Sequence, residues 1–234
     1  MLVERLSSHP HVTCYPALFS RMEFLDTRNR LMEALSPKLD ARWLDPDQRS
    51  ADAGTFLDEV IANAAPTLAF GLKQHLVGPE AITQMVLDDP DWKIIHIRRP
   101  NYLASYSSAK IVAATGQGSA RIGEEIIRAK VEFDAREMDA HVRKRERVYA
   151  QWGAAIAASA ALEVTYPDAA SRQTCDRIWS FLGLDPARGG KPQTLKRQPS
   201  NILLRFSNPV VARNWLEENG QTEWAGEYAS PGPA

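Results

Sequence analysis

At 234 residues, 44% of them hydrophobic, the chain is long enough to bury one sizeable core and too apolar for a disordered segment. A formal net charge of −1 excludes the global positive field of a typical nucleic-acid binder, so any anion site must be a local cluster. Cys14 and Cys175 form neither a metal-ligand spacing nor a disulfide framework, no apolar stretch is long enough for a membrane span, and no signal peptide is evident; the expectation is a soluble cytoplasmic protein without a metal.

In chain order, "MLVERLSSHP" is helical in pattern from its first residue. "TLAFGLK" (67–73), "KIIHIR" (93–98) and "ALEVTY" (161–166) read as buried parallel strands, each short, apolar or β-branched, and bounded by Pro, Gly or charge. Helical patterns lie between and after them. "GPEAITQMVLDD" starts near Pro79 and stops at Pro90; "NYLASYSSAKIVAAT" starts on Asn101 as N-cap. A long helix follows in "FDAREMDAHVRKRERVYAQWGAAIAASA", then "SRQTCDRIWSFLGL" ending at Gly183, and "NPVVARNWLEENG" with Asn208 as cap, Pro209 at the first position and Gly220 at the exit. Trp152, Trp179 and Trp215 sit at core spacing. The tail "EYASPGPA" (227–234) reads as frayed, and the whole as one domain. Strands alternating with helices imply a parallel α/β sheet that binds ligands at the carboxyl ends of its strands.

Arg98 and Arg99 stand where such a strand hands over to a helix. A guanidinium is permanently charged and presents a fork of donors that matches phosphate oxygens. The N-terminus of the following helix faces the same place, and Ser105, Ser107 and Ser108 lie on its first two turns. The plainer alternative is an arginine paired with a carboxylate at the sheet edge.

The segment "IIHIRRPNYLASYSSAKIVAA" resembles the 3′-phosphate-binding segment of sulfotransferases, which use 3′-phosphoadenosine 5′-phosphosulfate (PAPS) as sulfate donor. Arg98, Arg99, Asn101, Leu103 and Ser108 fall on the pattern R-R-x-N-x-L-x-x-x-x-S of the branch that modifies carbohydrates and glycolipids. The favoured pair is Arg99 with Ser108; the commoner family spacing selects Ser107. Four further stretches are similar to the family in the right order: "LVERLSSHPHVTCYPALFS", "LAFGLKQH", "LEVTYPDAASRQTCDRIWSFLGLD" and "TLKRQPSNILLRFSNPVVARNWLEENGQTEW". The resemblance implies a P-loop-NTPase-like parallel sheet flanked by helices. It also implies Lys73 at the active-site mouth, and Lys196 or Arg197 closing over the donor phosphates. A solvated basic turn is the plainer reading of "LKRQPSN".

Two departures accompany the likeness. The family's phosphosulfate loop, R-S-G-[ST]-[ST]-x-L, and the first strand before it would end where Met1-Leu2-Val3 stand, so an in-frame reading upstream of Met1 is expected to contain them. The gap left in the sheet would make this chain poorly stable alone or drive it to oligomerise. Ala17 stands where the branch commonly has Glu, the natural general base for a sugar hydroxyl. His75, two residues past Lys73, is the replacement candidate. His9 is expected to stabilise its S-H-P turn, His96 to be a satisfied core histidine, and His141, with the charge run "HVRKRER", to be solvated. The expected function is sulfuryl transfer from PAPS to a hydroxyl of a carbohydrate or glycolipid, with acceptor choice set by segments such as 28–55. The alternative is a non-catalytic member that binds a nucleotide or a partner. A nucleotide kinase is disfavoured, because no G-x-x-x-x-G-K-[ST] occurs.

Overall fold

The computed structural model describes residues 2–16, 18–19, 30–65, 67–75, 80–118, 120, 123–189 and 199–227. In chain order the elements are α1 (Leu2–Leu6), β1 (Val12–Tyr15), α2 (Arg30–Leu35), α3 (Pro46–Ala51), α4 (Ala53–Asn63), β2 (Ala69–Leu72), α5 (Glu80–Asp88), β3 (Ile94–Arg98), α6 (Tyr102–Thr115), α7 (Ala135–Ala158), β4 (Ala161–Thr165), α8 (Arg172–Leu182) and α9 (Pro209–Glu218). The protein is mixed α/β. Ala17, Pro79, Lys196 and Arg197 lie outside the described residues.

The single parallel sheet expected from the sequence is replaced, among the described residues, by two two-stranded sheets, β1–β2 and β3–β4. The first contains a strand, β1, that sequence pattern alone does not mark. Val12–Tyr15 is only four residues long, too short for a periodicity signal, yet all four residues are buried and pair in parallel with Ala69–Leu72. In the second sheet, Ile94 N–H donates to Ala160 O at 2.9 Å near the start of β3, and Tyr166 N–H donates to Arg98 O at 2.7 Å near its end.

The residues divide into two compact units: Met1–Ile95 with Ala154–Leu162 and Cys175–Pro192, and His96–Gly153 with Glu163–Thr174 and Gln193–Ala234. The first unit packs Leu18, Phe56, Val60 and Ile82 around Trp43, whose indole N–H donates to Glu59 Oε2 at 2.8 Å. His9 does stabilise its turn: it accepts from His11 N–H through Nδ1, which leaves Nε2 to donate to Asp185 O, each at 3.2 Å.

The second unit packs α6, α7 and α9 with the loops that bear Phe133 and Phe206. Those two rings meet edge to face, 5.4 Å apart. Burial of each such side chain contributes roughly 1.5–3 kcal/mol. Asn208 ties the loops together: its Oδ1 accepts from Phe133 N–H at 2.8 Å and its Nδ2 donates to Phe133 O at 3.0 Å. With the side chain so used, Asn208 makes no cap bond to α9. His141 is not solvated as expected. It is half-buried, with Nε2 2.7 Å from Ser105 Oγ, and burial drives its pKa down to about 4.

Candidate functional site

The site belongs to the second unit and is built on α6. Asn101 starts this helix in extended backbone geometry, and its Oδ1 accepts from Ala104 N–H at 2.8 Å. Gly116 ends the helix at φ 68°, a left-handed conformation that glycine adopts without Cβ strain. Leu103, Ala104, Tyr106 and Ser107 are all buried, so the first two turns of α6 are enclosed on most sides and present only selected groups.

Arg99 sits one residue beyond β3, just before the α6 N-terminus. Its Nη1 donates to Ser108 Oγ at 3.3 Å, and its guanidinium lies 4.4 Å from the centre of the Tyr166 ring. Ser108 Oγ in turn donates to Ala104 O at 2.8 Å. Arg98 turns elsewhere, to Glu163 Oε1 at 3.3 Å and toward the Tyr149 ring. Of the two arginines, then, only Arg99 is directed at the helix start.

The serine kept as an alternative, Ser107, has a different guanidinium. Its Oγ accepts from Arg205 Nη1 at 3.3 Å. Arg205 is fully buried, and its Nε and Nη2 both donate to Pro199 O, at 3.1 and 2.6 Å. It reaches this place because the short 3₁₀ turn Ile202–Arg205, capped by Asn201, is followed by Phe206 bridged to Val131; Val131 N–H donates to Arg205 O at 3.0 Å.

Glu227, read from the sequence as the first residue of a frayed tail, is buried between the two arginines. Its Oε1 accepts from Arg99 Nη2 at 2.5 Å and its Oε2 from Arg205 Nη2. Burial alone would raise the Glu227 pKa, but the adjacent Arg99 and Arg205 hold it below the ordinary carboxylate range, so it is ionised. Its own N–H donates to Ser200 O at 2.8 Å, and Asn101 Nδ2 donates to the preceding Gly226 O at 2.7 Å. The arrangement can hold an anion: two guanidinium forks meet on one carboxylate, and each also donates to a serine hydroxyl on the first two turns of α6.

Lys73 and His75 belong to the first unit. Lys73 follows β2 and its N–H donates to Tyr15 O at 3.0 Å, while His75 is exposed. Burial pushes the Cys14 thiol in the neighbouring strand up to about 12, a shift that the Lys73 charge partly opposes. His96 is partly buried, and desolvation lowers its pKa and favours the neutral ring. It is less well satisfied than expected, with Nδ1 3.5 Å from Glu163 Oε2, too long for a good hydrogen bond. A shallow cavity of about 220 Å³ lies over Ser36, Leu39, Asp40 and Trp43, within the segment expected to choose the acceptor. Among the described residues no cluster of His, Cys, Asp or Glu could hold a metal ion, and no helix is long and apolar enough to cross a membrane.

The sequence reading missed Arg205 and Glu227. A signal for the first was present, since a lone arginine inside the apolar run "ILLRF" is the mark of a charge that must find a buried partner. Nothing local marked Glu227. No protein-family model, no curated protein and no solved structure matches the chain.

Proposed function

We propose that Arg99 and Ser108 form the 3′-phosphate clamp of a PAPS-dependent sulfotransferase with a P-loop-like fold, acting on a hydroxyl of a carbohydrate or glycolipid. The observation that carries this reading is the 3.3 Å contact from Arg99 Nη1 to Ser108 Oγ, beside the capped N-terminus of α6. A permanent cation, a hydroxyl and the positive end of a helix dipole are what a phosphate monoester requires.

In the transfer, the acceptor oxygen attacks sulfur, the bond from sulfur to the 5′-phosphate oxygen breaks, and the acceptor proton leaves to a base. Lys73 would oppose negative charge on the transferring group, and His75 would take the proton. Lys196 and Arg197 would close over the donor. Neither Cys14 nor Cys175 is in a disulfide, in keeping with a reducing compartment such as the cytoplasm.

A second reading, a non-catalytic nucleotide binder, is favoured by Ala17, which cannot accept a proton where a general base is expected. Calorimetry with adenosine 3′,5′-bisphosphate, followed by radiolabelled sulfate transfer to carbohydrate acceptors, tests both. Binding with transfer that Lys73→Ala abolishes supports the enzyme; binding without transfer supports the binder. Absence of binding refutes both.

A further inference from the structure

We propose that Arg205 is the second guanidinium of the anion site and that Glu227 fills this site as an internal carboxylate, which a phosphate monoester displaces. The inference rests on reading Arg99 and Ser108 as a phosphate clamp, and it adds the site's other half and its resident competitor.

The two arginines are used in parallel ways. Each gives its Nη1 to a serine hydroxyl, and the two serines are consecutive on α6: Ser108 for Arg99 and Ser107 for Arg205. Each gives its Nη2 to Glu227, one to each carboxylate oxygen. The carboxylate thus stands where two oxygens of a phosphate would accept from two forks.

Charge separates this arrangement from a purely structural ion triad. Two guanidiniums against one carboxylate leave one positive charge unneutralised among these three groups, in a place where the Arg205 side chain is 1% and the Glu227 side chain 6% exposed. Uncompensated charge is expensive at such depth. A phosphate monoester dianion in place of Glu227 balances both arginines. A sulfate ester or a phosphodiester carries a single charge and gains nothing over the carboxylate. The site therefore prefers a terminal phosphate monoester.

Access and motion fit the exchange. The Arg99 side chain is 19% exposed and provides the open edge, with Tyr166 against its guanidinium. The main chain at Glu227 is held by Ser200 O, and Asn101 holds Gly226 O, so the carboxylate leaves by side-chain rotation while the segment stays in place.

The test is calorimetry of the full chain and of Glu227→Gln with adenosine 3′,5′-bisphosphate, alongside carbodiimide labelling of carboxylates in the unaltered protein, read by mass spectrometry. The expected result is binding at least about tenfold tighter in Glu227→Gln, the gain from removing a competitor that leaves the site open in no more than about one part in ten. In the unaltered protein, Glu227 should be protected from labelling when free and labelled once the nucleotide binds. Should Glu227→Gln fail to fold, the labelling alone decides. Nucleotide binding with unchanged or weaker affinity in Glu227→Gln, or with Glu227 still protected, overturns this inference and leaves the Arg99–Ser108 clamp standing. No binding by either protein overturns the clamp and the inference together.

Discussion

Asn101 Nδ2 donates to Gly226 O at 2.7 Å, so the residue that starts α6 also fixes the backbone next to Glu227. The same amide nitrogen donates to Trp224 O at 3.0 Å, and the same side chain caps the helix through Oδ1. One buried asparagine therefore couples the helix that carries both site serines to the segment that carries the carboxylate.

Replacing Asn101 should separate those two roles. Asn101→Ser keeps an acceptor for Ala104 N–H but loses both donor contacts; Asn101→Ala loses all three. The cap is worth about 1 kcal/mol, and each donor contact about 1 kcal/mol more. Urea unfolding should show Asn101→Ala as the less stable by about the value of the cap. Equal stability of the two variants would mean that the cap contributes nothing here.

Arg99 should matter for phosphate more than for stability. Arg99→Ala removes the more accessible guanidinium and one charge-assisted contact worth about 1.5–3 kcal/mol, or roughly ten- to hundredfold in affinity for adenosine 3′,5′-bisphosphate. Arg98→Ala removes an arginine that faces Glu163 and Tyr149, and its affinity should stay within about twofold of the unaltered protein. Calorimetry of the pair checks this, and equal losses would contradict the assignment.

The three charges of the triad should not be equivalent when removed singly. Glu227→Gln leaves the buried Arg205 and the partly buried Arg99 facing each other without a counter-charge, and should cost about 3–5 kcal/mol. Arg205→Met leaves Arg99 and Glu227 balanced in charge, and its cost is packing and the hydrogen bonds to Pro199 O, Ser107 Oγ and Glu227 Oε2. Thermal unfolding should rank Arg205→Met as the more stable of the two; the reverse order would show that the uncompensated charge is not what makes the site costly.

Acid should weaken the second unit through His141. Its pKa in the folded state, about 4, lies below the ordinary 6.5 because burial disfavours the charged form and Arg145 and Lys144 add repulsion. Between those values the unfolded chain binds the proton and the folded chain does not. Stability from this group is complete above about pH 6.5 and falls as the pH drops toward 4. His141→Gln keeps a partner for Ser105 Oγ without titrating, and should flatten that part of the profile measured by denaturant unfolding.

Much of the fold was legible because it is written locally. Ile94–Arg98 and Ala161–Thr165 are short apolar or β-branched runs between breakers, and Asn101, Gly183 and Gly220 punctuate helices by rules that act within a turn. Val12–Tyr15 escaped because four residues carry no period; only its pairing with Ala69–Leu72 makes it a strand. The solvated face expected at His141 failed because helix periodicity ranks faces by composition, and Ser105 on a neighbouring helix supplies a polar partner that composition does not record.

For the site, the sequence by itself determined that an arginine leaves a strand beside a capped helix with serines on its first turns. Those are relations among residues at most ten apart, governed by backbone geometry and dipoles. Only the tertiary structure decided which serine meets which arginine, and that a second guanidinium and a carboxylate complete the cluster. Arg205 lies 106 positions beyond Arg99, and Glu227 a further 22. Their meeting is imposed by loops held at Val131, Ser200 and Asn101, because buried charge must find a partner wherever the packed chain offers one.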